Sequence, residues 1–346
     1  MLIRCLVLVT LFSAGAIAAS PLTALLEDLV ASGDIVGAQT LVGERDRIVI
    51  EAAVGSISPE SDQQVNDDTQ FCIGSTSKPL ASATVLNLVH TGKLTLDEPI
   101  SRWLPEFDTG ATLRQLLSHH GGIYSQRDGL SESQKRWIRD FRLTLAEAVE
   151  GIASEEPKGK PGERFAYSGA GYCVIGQVAG VAMGLDFPDL LRERVTGPLG
   201  MTRTTYFPEV GDGNVATGAS TETPHLLGRE LKLALIGGSV YSTVRDLSRF
   251  ARMMIGKGEL GSVRVLPRNL WEEMTTNPGY SDEEYALGWG LRPERGRIRH
   301  GGSLAASRAV LEIDLESGRY AIVLYSLAKP SQAVQSKINK ATSDAL

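Results

Sequence analysis

Ser75-Thr76-Ser77-Lys78 places a serine three residues before a lysine. On a helix, residues three apart lie on one face, one turn apart, so Lys78 would stand beside the Ser75 hydroxyl. A serine hydroxyl is a poor nucleophile until a neighbour accepts its proton. A helix N-terminus adds free backbone N–H groups and the positive end of a dipole, which favour an oxyanion near Ser75. Gly74 allows a sharp turn into that helix. Taken alone, S-x-x-K arises by chance in many chains, and its bland reading is a solvated lysine. Rival motifs are weaker. Gly169-Ala170-Gly171 lacks the third glycine of a dinucleotide fingerprint and follows a loop. No G-x-S-x-G occurs, which excludes the nucleophile elbow of an α/β hydrolase. His119-His120 cannot share a helix face, and no H-E-x-x-H exists, so no metal site is expected. Trp103, Tyr124 and Trp289 read as core, with cleft lining a second option for Trp289.

The elements that must position these residues follow from periodicity. Leu22, Leu25, Leu26 and Leu29 recur at helical spacing before Gly33. The β-rich runs 36–42 and 47–54 flank a polar four-residue turn and read as a hairpin. Residues 75–90 read as a helix with Pro79 in its first turn, where proline is tolerated. The middle of the chain supplies helix candidates at 113–118, 144–153, 170–183, 188–195 and 243–255. From Tyr285 the texture turns to strands, at 285–291, 307–314 and 319–325, and 330–346 could close the chain as a helix. Strands at both ends with helices between predict an α+β fold. One antiparallel sheet is built from both termini, with flanking helices and an inserted helical lobe at about 93–235.

Composition narrows the classes. Of 346 residues, 42% are hydrophobic and 22% charged, ample for a core and against disorder. Acidic residues outnumber basic ones, 41 to 35, giving a net charge of −6 and demoting nucleic-acid binding. Residues 1–19 read as a secretory signal peptide: Arg4, an apolar run from Cys5 to Phe12, then Ala16-Ile17-Ala18, with cleavage after Ala18 or Ala19. A membrane anchor is the alternative, but the run is short for a span, and no other stretch approaches the ~20 apolar residues a spanning helix needs. A periplasmic or secreted protein of residues 20–346, one domain, is expected. Cleavage would remove Arg4, leaving 34 basic residues against 41 acidic ones, a charge of −7. It would also remove Cys5, leaving Cys72 and Cys173 to pair or to remain separate buried thiols.

Seven segments in order resemble the serine β-lactamase and penicillin-binding-protein superfamily, in particular its class C-like esterase, D-aminopeptidase and DD-peptidase branches. They are Phe71 to Lys78, the stretch His90 to Ile100, Leu113 to His119, Pro161 to Ser168, Gly197 to Met201, Tyr285 to Gly290, and His300-Gly301-Gly302. The resemblance runs from about residue 22 to 330. It implies acylation of Ser75, with Lys78 and Tyr167 as base and proton relay. Free lysine and tyrosine side chains both titrate near ~10, so such a base works only as a coupled pair. The resemblance further implies an oxyanion hole from the N–H groups of Ser75 and Ser303. His300, Gly301 and Gly302 would shape the strand edge against which substrate lies.

Three departures from the family pattern carry information. The asparagine of its Tyr-x-Asn is here Gly169, which puts β-lactam and peptide turnover in doubt. His300 stands where a permanently charged lysine is common, so carboxylate capture there would be weaker. Arg308, on the next strand, is either a replacement for that charge or a solvated surface residue. The expectation is therefore a secreted serine hydrolase acting on a small-molecule ester, amide or peptide, D-amino-acid amides included. It would need no cofactor or metal, bind no nucleic acid and keep no membrane span after processing. A class C-like β-lactamase, or a non-catalytic binder of penicillins or cell-wall peptides, are the alternatives.

Overall fold

The computed structural model describes residues 20–209, 213–219, 227–228 and 230–346. The signal-peptide reading, residues 1–19, therefore lies outside the described residues. Ser20 caps helix α1 (Pro21–Ala31), its side chain accepting the Thr23 N–H at 3.1 Å. The hairpin follows as β1 (Ile35–Glu44) and β2 (Arg47–Gly55). The short β3 (Phe71–Cys72) leads into a 3-10 turn over Gly74–Thr76 and then α2 (Ser77–His90).

The middle of the chain holds α3 (Leu113–Leu117), α4 (Glu132–Arg139), α5 (Leu145–Ala153), α6 (Gly169–Met183) and α7 (Phe187–Leu191), the last running into a π-helical turn over Arg192–Thr196. Then come β4 (Tyr241–Ser242), α8 (Val244–Ile255), the two-residue pair β5 (Glu259–Leu260) and β6 (Val263–Arg264), and α9 (Arg268–Thr275). The chain ends in β7 (Gly290–Arg292), β8 (Arg297–Leu304), β9 (Ser307–Asp314), β10 (Arg319–Leu327) and α10 (Gln332–Asp344).

Six strands form one antiparallel sheet in the order β2-β1-β10-β9-β8-β7, so the N-terminal hairpin pairs with the C-terminal strands as expected. Both faces are covered, which explains why Arg319–Leu327 is apolar almost throughout instead of alternating. Along β10, Tyr320, Ile322 and Leu324 face the main core, while Ala321, Val323 and Tyr325 pack under α1 and α10. α2 is the central helix of the main core. Ser77 to Leu86 are all buried, so the polar residues of its first turn, Lys78 included, are held inside the protein.

Several boundaries differ from the periodicity. Residues 285–291 are not one strand. Tyr285 bridges Gly290 across a tight loop, in which Gly288 has φ +90° and the Ala286 N–H reaches the Trp289 carbonyl at 2.8 Å. A positive φ inside an apolar run breaks a strand that side-chain pattern alone would continue. Trp289 is thereby turned into the core against Phe250, not into a cleft. Helices α4 and α9 carry too few apolar residues for the pattern to flag. Among the described residues no single helix is long and apolar enough to cross a membrane.

Candidate active site

Ser75 lies in the 3-10 turn that feeds α2, half-buried at the point where that turn meets β8. The approach is close enough to dictate residue type on both sides. Gly74 has φ +50°, and a Cβ on it would stand 2.3 Å from the Ser303 nitrogen. A Cβ on Gly302 would stand 1.8 Å from the Ile73 carbonyl oxygen. Only glycine hydrogens fit between the two backbones. The contact brings the Ser303 amide to the turn that carries Ser75. The turn is also tied from the other side: the Ser77 hydroxyl donates to the Gly74 carbonyl at 2.6 Å and accepts the Val240 N–H at 3.2 Å.

Lys78 is 1% exposed. Its ammonium donates to the Gly237 carbonyl at 2.8 Å and sits 4.7 Å from the Tyr167 ring centre and 5.2 Å from that of Tyr172. Two aromatic faces and a carbonyl dipole thus surround a buried cation. Gly237 makes room for it, since a Cβ there would come within 3.0 Å of the Lys78 side chain. Tyr167 arrives on the segment before α6. That segment ends on Ser168, whose hydroxyl caps the helix by accepting the Gly171 N–H at 2.9 Å.

His300, on β8, is 6% exposed and lies across from Tyr167, with ring centres 6.4 Å apart. Its Nδ1 is 2.8 Å from the Gly301 carbonyl, which can only accept, so Nδ1 carries the hydrogen. Its Nε2 then accepts from the Tyr285 hydroxyl at 3.0 Å, a phenol that burial keeps protonated. Burial first, and the Lys78 charge second, push His300 down to about 3. It is therefore a neutral, hydrogen-bonded wall of the site.

His119, considered above only as a metal candidate, is a second buried imidazole in the same cluster. It has φ +64°, an uncommon conformation for a side-chain-bearing residue. Its ring centre is 4.3 Å from Tyr167 and 4.8 Å from Tyr285. Its Nδ1 accepts the Ser168 N–H at 3.1 Å, so Nε2 carries the hydrogen, and that atom is buried with no hydrogen-bond partner among the described residues. Burial and the Lys78 charge hold its pKa well below the ordinary histidine value. No group of three or more metal-ligating side chains occurs among the described residues.

The Gly169 position is filled by another residue. Gln126, from a 3-10 turn over Gln126–Asp128, accepts the Gly169 N–H on its Oε1 at 2.7 Å. A Cβ on Gly169 would stand 2.4 Å from the Gln126 Nε2. A carboxamide thus lies where an asparagine side chain at 169 would begin. The next residue, Arg127, stacks over the Tyr167 ring at 4.7 Å. Neither residue was singled out in the sequence. The only signal was position, a few residues beyond the Leu113 to His119 match.

Arg308 is half-buried opposite Ser303 in the β8–β9 register, and its guanidinium donates to the carbonyls of Ala305 and Ser307 at 2.8 and 2.7 Å. Cys72 and Cys173 are separate buried thiols, each pushed up to about 12 by burial.

Residues 22–343 match the family described as Beta-lactamase, and the chain belongs to that family. The chain therefore has the β-lactamase fold of that family, and its relatives carry several named activities. The esterase EstB of Burkholderia gladioli is 32% identical over 199 residues, covering 53% of this chain and 50% of that protein. EstCE1, described as a hydrolase with promiscuous acyltransferase activity, superposes with a TM-score of 0.79 at 20% identity, covering 93% of this chain and 97% of that one. The D-amino acid amidase of Ochrobactrum anthropi SV3 has a TM-score of 0.74 at 22% identity, covering 94% and 96%. Penicillin-binding proteins are also among the relatives. The two structural likenesses show the fold alone, and the chain spans half the length of EstB.

Proposed function

We propose that this protein is an exported serine hydrolase that cleaves small esters or D-amino-acid and peptide amides through an acyl-enzyme on Ser75. Two contacts support the reading: the Ser303 amide abuts the turn that carries Ser75, and Lys78, three residues on, is buried with its ammonium 4.7 Å from the Tyr167 ring centre. In this mechanism the Ser75 Oγ attacks the substrate carbonyl and its proton passes to the Lys78–Tyr167 pair, which accepts it in the form holding one proton fewer, ammonium beside phenolate. The N–H groups of Ser75 and Ser303 hold the oxyanion, an interaction worth roughly 3–4 kcal/mol of barrier. The pair then returns the proton to the leaving group, and water repeats the sequence to release the acid. His300, neutral and fixed by Tyr285, shapes the cleft wall without supplying charge. The esterase named among the relatives, and Gly169 in place of the family's asparagine, support an ester reading over β-lactams.

The test offers p-nitrophenyl esters, D-amino-acid anilides and nitrocefin to the processed chain, together with a fluorophosphonate probe. Turnover of an ester or anilide, and labelling that disappears in Ser75→Ala, is expected. Absence of both overturns the hydrolase reading, and stable penicillin labelling without turnover points instead to a binder. N-terminal sequencing of exported protein beginning at Ala19 or Ser20 tests export.

A further inference from the structure

We infer that Arg127 is an anion-recognising residue of this site, selecting substrates that carry a carboxylate near the scissile bond. The inference rests on the hydrolase reading above and names its substrate class. A cleft of about 820 Å³ opens beside the reacting residues, with Tyr167, His300 and Gly301 among its walls. Three guanidinium groups border it: Arg127, Arg292 and Arg299. Two are already engaged. Arg299 donates to the Asn339 side chain at 2.7 Å and faces Glu312 at 3.6 Å. Arg292 donates to the Leu291 carbonyl at 2.9 Å and has Glu284 at 4.0 Å. Arg127 alone of the three has no carboxylate within ion-pair distance among the described residues.

Its neighbours do not neutralise it. The adjacent Asp128 is bound instead by Arg164 at 2.7 Å. What holds Arg127 is the Tyr167 ring, 4.7 Å from its guanidinium carbon, and none of its side-chain donors makes a hydrogen bond among the described residues, which leaves that fork for a planar anion. The strand position where a fixed charge could serve the same purpose carries His300, which is buried and neutral. Lys78 is enclosed between aromatic rings and the Gly237 carbonyl and cannot reach outward. Asp282, Glu283 and Glu284 also line the cleft and are exposed, as Arg127 is, so water screens all four charges alike. The three carboxylates would confine an anion to the Arg127 side.

Two matched substrate pairs test this. One sets the p-nitrophenyl monoester of adipic acid against p-nitrophenyl hexanoate, placing the carboxylate on the acyl group. The other sets 4-acetoxybenzoate against phenyl acetate, placing it on the leaving group. In Arg127→Gln the ratio of kcat/KM for the anionic to the neutral member is expected to fall roughly tenfold in one pair, chiefly through KM. Arg127→Lys should restore part of it, and added salt should erode the wild-type ratio. The responsive pair identifies the side of the scissile bond that Arg127 reads. If Arg127→Gln lowers anionic and neutral substrates by one common factor in both pairs, or changes neither, Arg127 only supports Tyr167 and the inference fails. Fluorophosphonate labelling of Ser75, measured in the same preparations, keeps that failure distinct from failure of the hydrolase reading.

Discussion

At the scale of single residues, the site is notable for how little charge it keeps beside its one buried cation. Lys78 is ringed by Tyr167, Tyr172, His119 and His300, and both histidines are held neutral by burial and by Lys78 itself. That neutrality has a measurable cost in acid. An unfolded histidine gains its proton below about 6.5, whereas folded His300 does so only near 3. Between those values the unfolded chain binds more protons, so stability falls as pH falls, by up to about 1.4 kcal/mol per pH unit for each such group. Above 6.5 the group contributes no slope. Urea midpoints measured across that window should decline less steeply in His300→Asn than in the parent. His300→Gln serves the same comparison if the first variant folds poorly. Equal slopes would show that His300 is protonated in the folded protein. Residue reasoning from sequence singled out Ser75, Lys78, Tyr167 and His300 because each sits in a segment with a recognisable pattern. It did not reach Gln126 or His119, because their roles depend on through-space contacts with Gly169 and Tyr167 that no local pattern encodes.

At the scale of elements, the decisive contact is between a turn and a strand edge. Gly74 and Gly302 are required because the turn carrying Ser75 and strand β8 touch backbone to backbone. Gly302→Ala places a methyl group within 1.8 Å of the Ile73 oxygen, so β8 must move away from the turn that carries Ser75. The expected outcome is a loss of at least about a hundredfold in kcat, the scale of losing an oxyanion donor. Overpacking at this site should cost about 1–3 kcal/mol of stability. Gly301→Ala is the control for stability, since its nearest neighbour lies at an unstrained 3.8 Å. If both variants melt alike, the close approach is not what fixes the geometry. The main strands and helices were legible because both faces of the sheet and the inner face of each long helix are apolar at the right period. The loop Tyr285 to Gly290 was misread as a strand because Gly288 reverses the chain within an apolar run. The amphipathic α4 escaped because its helix rests on a capping box, Ser131 with Gln134, and only Ile138 anchors it among aliphatic residues.

At the scale of the whole molecule, the two ends of the chain cooperate to hold the site strand from behind. The N-terminal hairpin pairs with β10, and α10 packs across the sheet face opposite the main core. The link from α10 to the site is ionic. Glu312 on β9 is 1% exposed, with Arg297 at 3.2 Å and Arg299 at 3.6 Å, both on β8 and flanking Ile298. Ser343 of α10 donates to the same carboxylate at 2.9 Å, and Arg299 reaches Asn339 of α10. A buried ion cluster of this kind adds little net stability over apolar packing, but breaking it by removing one partner strands the others. Glu312→Gln should therefore destabilise the protein by about 3 kcal/mol, softened because Arg297 keeps Asp314 at 3.8 Å. The triple replacement Glu312→Leu, Arg297→Leu, Arg299→Met should recover most of that loss, because the charge it leaves behind, Asp314, is partly exposed and still accepts the Glu316 and Ser317 N–H groups. Chemical denaturation separates the two, and ester turnover reports whether β8 stays in place. A triple variant as unstable as the single one would mean that α10 is held by these hydrogen bonds specifically. Recovery of stability without recovery of turnover would assign the cluster to the alignment of His300 and Gly302 with Ser75.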